Sequence, residues 1–141
     1  MLFWKKDLKK PPKISTRFLN KNDLLWKNSD NIKPIDGYQD MVCHGYQYSF
    51  VFKNADGVEV NVSVKEFAEI LQNSPVYNGG LIRLISCGTG AEGAVSAQYL
   101  ANYLNVEVIA PTDIVYVYPD GDMIIGLDNS GFWKTFKPGG N

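Results

Sequence analysis

The sequence has few of the residues that disulfide frameworks and metal sites need. Its 141 residues include two cysteines and a single histidine. Two cysteines are too few for a disulfide scaffold, and no cysteine–histidine cluster has the spacing of metal ligands. We therefore expect neither a metal nor a bound cofactor.

The chain also lacks an excess of one charge and a long apolar run. Its 14 basic and 15 acidic residues leave a net charge of −1, so nothing in the balance indicates a nucleic-acid partner. No apolar run approaches the roughly 20 residues that span a membrane, and we expect no secretory signal, because no long apolar segment follows the first lysines. The hydrophobic content of 45%, at this length, indicates one domain with a real core.

The first 34 residues carry the weakest signals. Five lysines fall within the first 13 residues, and a Pro-Pro pair stands among them. Proline stops any helix that begins before it, and a run of like charges is typical of a solvated segment. We predict that residues 1–34 form a basic N-terminal arm or linker and that residues 35–141 form the domain.

The rest of the chain alternates strand and helix signals. Strands are predicted at 40–44, 48–53, 58–62, 81–86, 106–110, 114–118, 123–127 and 132–136, and helices at 63–73 and 94–105. A strand–helix–strand run over residues 81–110 predicts a parallel pair. The predicted fold class is α/β: a mixed sheet with a parallel strand–helix–strand core, flanking helices and a C-terminal β-hairpin.

Two apolar stretches end in a reactive side chain followed by glycine, at His44-Gly45 and at Cys87-Gly88. Because the carboxyl ends of parallel strands share one edge of a sheet, where ligands bind, we expect the thiol and the imidazole to meet there. A thiol nucleophile beside an imidazole base is the layout of covalent Cys–His catalysis. The following helix would lower the pKa of the thiol. The backbone amides of Gly45, Cys87 and Gly88 are candidate oxyanion donors.

Further polar residues are candidates for substrate binding, each with a structural alternative. Arg83 falls in mid-strand and needs an acidic partner, with Asp40 and Asp113 among the options; a buried structural pair is the alternative. Asp113 either binds substrate, orients the histidine or starts a turn. Tyr46 either lines a groove or packs. Cys43 adjoins the histidine in a strand, so its side chain points to the opposite face and is predicted to be core.

A second interpretation uses the same glycines. Residues 88–93 read Gly-x-Gly-x-x-Gly after a strand and before a helix, and Asp113 follows twenty residues later. That context is typical of dinucleotide binding. However, residues 114–141 read as a hairpin and leave no room for the remaining strand–helix units of such a fold. A nucleotide-binding or nucleotide-consuming protein and a non-enzymatic binding module therefore stand as alternatives.

The two reactive stretches resemble the caspase-like cysteine peptidases, which include the self-processing domains of large bacterial toxins. The resemblance lies in Met-Val-Cys-His-Gly over residues 41–45 and Ile-Arg-Leu-Ile-Ser-Cys over residues 82–87. A longer stretch, about residues 35–140, resembles the C-terminal domains of bacterial polymorphic toxins of the wall-associated, LXG and RHS types. Its most specific pieces are Ser-Cys-Gly-Thr-Gly at 86–90 and Ala-Pro-Thr-Asp at 110–113.

These resemblances imply a caspase-like toxin domain used in interbacterial competition. They imply a module exported as the tail of a larger protein, acting on a protein in the target-cell cytoplasm and neutralised in the producer by an immunity protein. They carry over His44 as base and Cys87 as nucleophile of a cysteine peptidase or a related acyl-transfer enzyme, such as a deamidase or transamidase.

Overall fold

The structure is a computed structural model that describes residues 16–19, 22–53, 58–75 and 77–139. Within them ten strands and three helices follow one another along the chain. The elements are β1 (Thr16–Arg17), α1 (Leu24–Ser29), β2 (Tyr38–Val42), β3 (His44–Gly45), β4 (Ser49–Lys53), β5 (Glu59–Ser63), α2 (Val64–Asn73), β6 (Leu81–Ile85), α3 (Ser96–Leu104), β7 (Val108–Pro111), β8 (Val115–Val117), β9 (Met123–Ile125) and β10 (Trp133–Phe136).

The main sheet has the strand order β1-β2-β6-β7-β10. Strands β1, β2, β6 and β7 run parallel, and β10 pairs antiparallel with β7 at the edge. The parallel β6–β7 pair is joined through α3, as the strand–helix–strand signal predicted. The antiparallel β8–β9 hairpin also confirms its prediction. The fold class is therefore α/β with a mixed sheet.

Both faces of the main sheet are covered by apolar side chains. Alternate residues of β2 and β6 divide between two clusters, because successive side chains of a strand point to opposite faces. Met41 and Leu84 belong to the first cluster, with the buried side chains of α2 and α3. Val42 and Ile85 belong to the second, which receives residues of the N-terminal segment and the β8–β9 hairpin.

Helix α2 begins with a capping box formed by Ser63 and Glu66. The Ser63 hydroxyl accepts from the Glu66 backbone N–H at 3.1 Å, and the Glu66 carboxylate accepts from the Ser63 N–H at 3.1 Å. This capping box satisfies two backbone groups that the helix end would otherwise leave unpaired. The apolar side of α2 is buried, as its spacing indicated.

The predicted strand over residues 40–44 is divided in two. Strand β2 ends at Val42, although the Cys43 N–H still donates to the Ile85 carbonyl at 3.3 Å. His44 and Gly45 then pair antiparallel with β4, in a separate sheet of order β3-β4-β5. Strands β4 and β5 form the predicted hairpin, and its loop at residues 54–57 lies outside the described residues. Cys43 is buried in the core, as predicted.

The N-terminal segment contributes elements to the fold from residue 16 onward. Strand β1 pairs with β2, with Thr16 opposite Met41, and the Asn28 side chain of α1 donates to the Val117 carbonyl at 2.9 Å. The boundary predicted at residue 35 therefore does not coincide with a break in this packing; residues 1–15 lie outside the described part. No helix in the described ranges is long and apolar enough to cross a membrane.

Candidate active site

His44 is held by a carboxylate that the sequence analysis did not identify. Its Nε2 lies 2.6 Å from Asp23 Oδ2. The other carboxylate oxygen, Oδ1, accepts from the Leu25 N–H at 2.9 Å and caps α1. An ionised carboxylate only accepts hydrogen bonds, so Nε2 is the donor in this contact, and the tautomer that fits it keeps the lone pair on Nδ1. Asp23 therefore fixes both the orientation and the tautomer expected of a base.

The sequence signal at Asp23 indicates a different role. An aspartate directly before an apolar run is a helix N-cap, and Asp23 does cap α1. Its second contact joins residues 21 positions apart, through the placement of α1 beside the end of β2. Local capping chemistry does not predict a contact between residues so far apart in the sequence.

Cys87 follows β6 and is partly buried at the border of the second cluster. Its Sγ lies 3.8 Å from the Val115 carbonyl oxygen. Burial raises the pKa of the Cys87 thiol, the neighbouring charge of Asp113 raises it further, and contacts with the backbone of Val115 and of Cys87 itself only partly oppose this. The sequence predicted that the pKa of this thiol is lowered in the resting protein, and that prediction is wrong.

The helix that was expected to lower the pKa of this thiol begins later than predicted. Helix α3 begins at Ser96, not at residue 94, and so lies nine residues after the cysteine. Gly93 has a φ of +80°, and the Val95 N–H donates to the Gln47 carbonyl at 3.1 Å before the first helical turn. The field of a helix end falls off within its first turn.

The structure brings His44 and Cys87 to one edge of the main sheet. Strands β2 and β6 are adjacent and parallel, and Val42 pairs with Ile85. Each reactive residue follows its member of that pair by two positions; Cys87 packs against the second cluster, and His44 contacts Asp23 at the start of α1. In the resting structure His44 is hydrogen-bonded to Asp23, and the Cys87 thiol contacts the Val115 carbonyl.

Gly45 is the reason that the two chain segments approach so closely. A Cβ at this position would lie 2.1 Å from Ser86 Oγ and 3.1 Å from Thr89 Cγ2. The Tyr46 N–H donates to the Ser49 carbonyl at 2.8 Å, and hydrogen-bonded pairs alternate along an antiparallel ladder. The Gly45 amide therefore points away from β4, which keeps it a candidate oxyanion donor.

An open pocket of about 540 Å³ adjoins the cysteine. Its lining residues are Gly45, Tyr46, Gln47, Cys87, Gly88, Ala91, Thr112, Asp113 and Ile114. Five of these residues were singled out from the sequence, whereas His44 and Arg83 are not among the lining residues. The Gly88 N–H donates to the Asp113 carbonyl at 3.1 Å. The prediction of Gly88 as an oxyanion donor is corrected on that ground, because its amide is already bound.

Arg83 is buried and paired. It is 4% exposed, its Nε donates to Asp40 Oδ1 at 2.6 Å, and its Nη2 donates to Asp40 Oδ2 at 2.7 Å. Nη2 also donates to the Lys33 carbonyl at 3.0 Å. Arg83 therefore forms the buried structural pair that the sequence analysis gave as the alternative. Its guanidinium is bound within the protein, which disfavours the predicted role in substrate binding.

The glycine-rich loop is occupied by contacts within the protein. A Cβ at Gly90 would lie 2.8 Å from the Ala110 carbonyl oxygen, so this glycine permits close packing against β7. At the start of α3, the Val95 and Ala97 amides donate to the carbonyls of Gln47 and Thr89. A dinucleotide phosphate would need such amides. The geometry therefore favours a packing role for the loop over nucleotide binding.

Fold and site together define a mixed α/β domain with a partly buried thiol in an open pocket and a carboxylate-bound imidazole at the same sheet edge. The chain belongs to the DUF8616 family, described as a domain of unknown function, whose model matches residues 14–125. The match begins just before β1, in agreement with the packing of the N-terminal elements. No curated protein and no solved structure matches the chain.

Proposed function

We propose that this domain is a bacterial antagonism toxin that acts as a cysteine hydrolase of the peptidase type. Cys87 is the nucleophile, His44 is the general base and Asp23 is the positioning residue of the base. The observation that carries the proposal is the delivery of a thiol and a carboxylate-bound imidazole to one sheet edge by the adjacent strands β2 and β6. A nucleophile, a base and a group that orients the base form the recurring constellation of covalent catalysis.

The proposed reaction follows from the protonation states. Nδ1 of His44 takes the Sγ proton as the sulfur attacks the substrate carbonyl carbon, and the carbonyl oxygen becomes an oxyanion near the Gly45 and Cys87 amides. Collapse of that intermediate breaks the C–N bond, and His44 returns the proton to the leaving amine. Water then hydrolyses the thioester. Because burial raises the pKa of Cys87, the proton moves during the attack and not before it.

The surroundings of the pocket support a protein substrate. Tyr46 is 61% exposed and Ile114 is 47% exposed, although both are large apolar side chains at the pocket. Phe132, also 61% exposed, lies beside this pocket, because its backbone carbonyl accepts a hydrogen bond from the N–H of Thr112, a lining residue. Apolar surface beside a site is typical of contact with another macromolecule. Deamidation or transamidation of a protein would use the same residues.

The toxin assignment rests on the resemblance of residues 35–140 to polymorphic toxin tails. It entails export as part of a larger protein, action in the cytoplasm of a target cell and an immunity protein in the producer. Expression of the domain in a bacterial cytoplasm should arrest growth, and Cys87→Ala and His44→Ala should abolish the arrest. Cys43→Ala is the matched control, since Cys43 is a buried core thiol. Growth arrest by the Cys87→Ala protein would contradict the proposal.

A direct test is the burst of acylation by p-nitrophenyl acetate, mapped by mass spectrometry. We expect acylation at Cys87, abolished by Cys87→Ala and slowed roughly 100-fold or more by His44→Ala, as for loss of a general base. Asp23→Asn should also slow it, by as much as about 10⁴-fold if it acts as the aspartate of a catalytic triad does, because the amide can donate to Nε2 and leave the proton on Nδ1. Asparagine caps a helix as well as aspartate does, so this change keeps α1 intact. Equal rates in the wild-type and His44→Ala proteins would refute the dyad.

A further inference from the structure

Asp113 is the charged residue among those that line the pocket beside Cys87, and its charge acts on the Cys87 thiol. Oδ1 of this residue accepts from the Ile114 N–H at 2.7 Å. A Cβ built on Gly126 would lie 3.4 Å from Asp113 Oδ2 and 3.7 Å from Asp128 Oδ1. Oδ2 of Asp113 therefore lies near a second exposed carboxylate, that of Asp128, which adds to the negative charge around Asp113.

We infer that the pocket binds a cationic side chain, lysine or arginine, next to the carbonyl that Cys87 attacks, with Asp113 as its ion-pair partner. This inference rests on the proposed function and specifies its substrate class. The other walls suit such a side chain. Ala91 and Ile114 supply apolar surface for a methylene stem, and the Tyr46 ring offers a face to a cation.

The charge of Asp113 also links recognition to reactivity. Its negative field disfavours the thiolate of Cys87 in the empty site. A bound cation offsets that field, so the correct substrate removes part of the cost of forming the thiolate. An anionic side chain in the same pocket would add to the cost. Selectivity for cations is therefore expected in the rate of attack as well as in binding.

The test compares three small alkylating reagents of similar size at Cys87: 2-bromoethylamine (cationic), iodoacetamide (neutral) and iodoacetate (anionic). Rates are measured by mass spectrometry and divided by the rates of the same reagents with free cysteine. We expect the normalised rate of the cationic reagent to exceed that of the anionic reagent roughly 10-fold or more in the wild type. The reason is that Asp113 attracts the first reagent and repels the second, and each charge contact near a surface contributes a modest free energy. Asp113→Asn should bring the ratio close to 1.

The controls separate this inference from the proposed function. Asp122→Asn removes an exposed carboxylate at the far end of the β8–β9 hairpin and should leave the ratio unchanged. Asp113→Asn alters the pKa of the thiol for all three reagents alike, so the ratio cancels that effect. A ratio near 1 in the wild type, with His44-dependent acylation intact, would overturn the cation pocket alone. Loss of His44 dependence would instead overturn the catalytic proposal.

A second measurement uses longer probes. Acyloxymethyl ketones that carry lysine, norleucine or glutamate beside the reactive carbonyl differ mainly in charge. The lysine probe should label Cys87 fastest in the wild type and lose its lead over the norleucine probe in Asp113→Asn. Equal labelling by the lysine and norleucine probes in the wild type would contradict the inference, because it would show that the carboxylate contributes nothing to recognition.

Discussion

The Arg83–Asp40 pair provides a test of what holds the two site-bearing strands together. Asp40 and Arg83 face each other across β2 and β6 in the sheet register. Their side chains are 10% and 5% exposed, and both N···O contacts of the fork are short. Removing one partner of a buried ion pair leaves an uncompensated charge, which costs about 3–5 kcal/mol. We expect Asp40→Asn to lower the free energy of unfolding by about 3 kcal/mol.

That cost is a large share of the stability of a small domain, which is about 5–15 kcal/mol. It corresponds to a fall in Tm of about 10 °C for a chain of this size. Arg83→Lys keeps the charge but loses the planar fork, so it should cost less, about 1–2 kcal/mol. Urea unfolding followed by tryptophan fluorescence measures both values. The exposed Arg17–Asp30 pair is the matched control, and Asp30→Asn should cost under about 1 kcal/mol.

The double variant Arg83→Met with Asp40→Leu separates structure from function. Replacing both partners by apolar residues of similar size is often neutral, so most of the lost stability should return. Acylation of Cys87 in this variant should match the wild type, since Arg83 contacts Asp40 and the Lys33 carbonyl. A single-variant cost below about 1 kcal/mol would refute the reasoning. A stable double variant without acylation would restore Arg83 as a substrate residue.

Three further predictions concern the packing around the site. Gly45→Ala should destabilise the domain by about 1–3 kcal/mol. Adding Ser86→Ala should recover part of that loss, because Ser86 Oγ is the nearest atom to the new Cβ. Additive losses of stability in a double-variant cycle would contradict this. Burial raises the pKa of Cys43 to about 12, so alkylation should spare Cys43 in the native protein at pH 9 and reach it in urea. Dinucleotides should not shift the Tm, since the amides at the start of α3 are bound; a shift that rises with ligand concentration would favour the nucleotide alternative.

Much of the fold was predictable because its signals are local. The capping box at Ser63, the alternation of β5 and the turn chemistry of the β8–β9 hairpin act over a few residues. The division of the 40–44 strand was not predictable, because it depends on β4 capturing His44 and Gly45 across a hairpin. Strand β1 was missed for the same reason: it is two residues long and exists through its pairing with β2.

The proposed base and nucleophile depend on different parts of the molecule. Cys87 follows a central strand of the main sheet, flanked by β2 and β7. His44 belongs to a two-residue strand, and Asp23 caps a helix of six residues. Short peripheral elements open at lower free energy than a central strand. Substitutions that weaken α1 should therefore reduce acylation before they reduce global stability, whereas substitutions in β6 should reduce both together. Hydrogen exchange of the Leu25 amide, which donates to Asp23, would report the opening that separates the two.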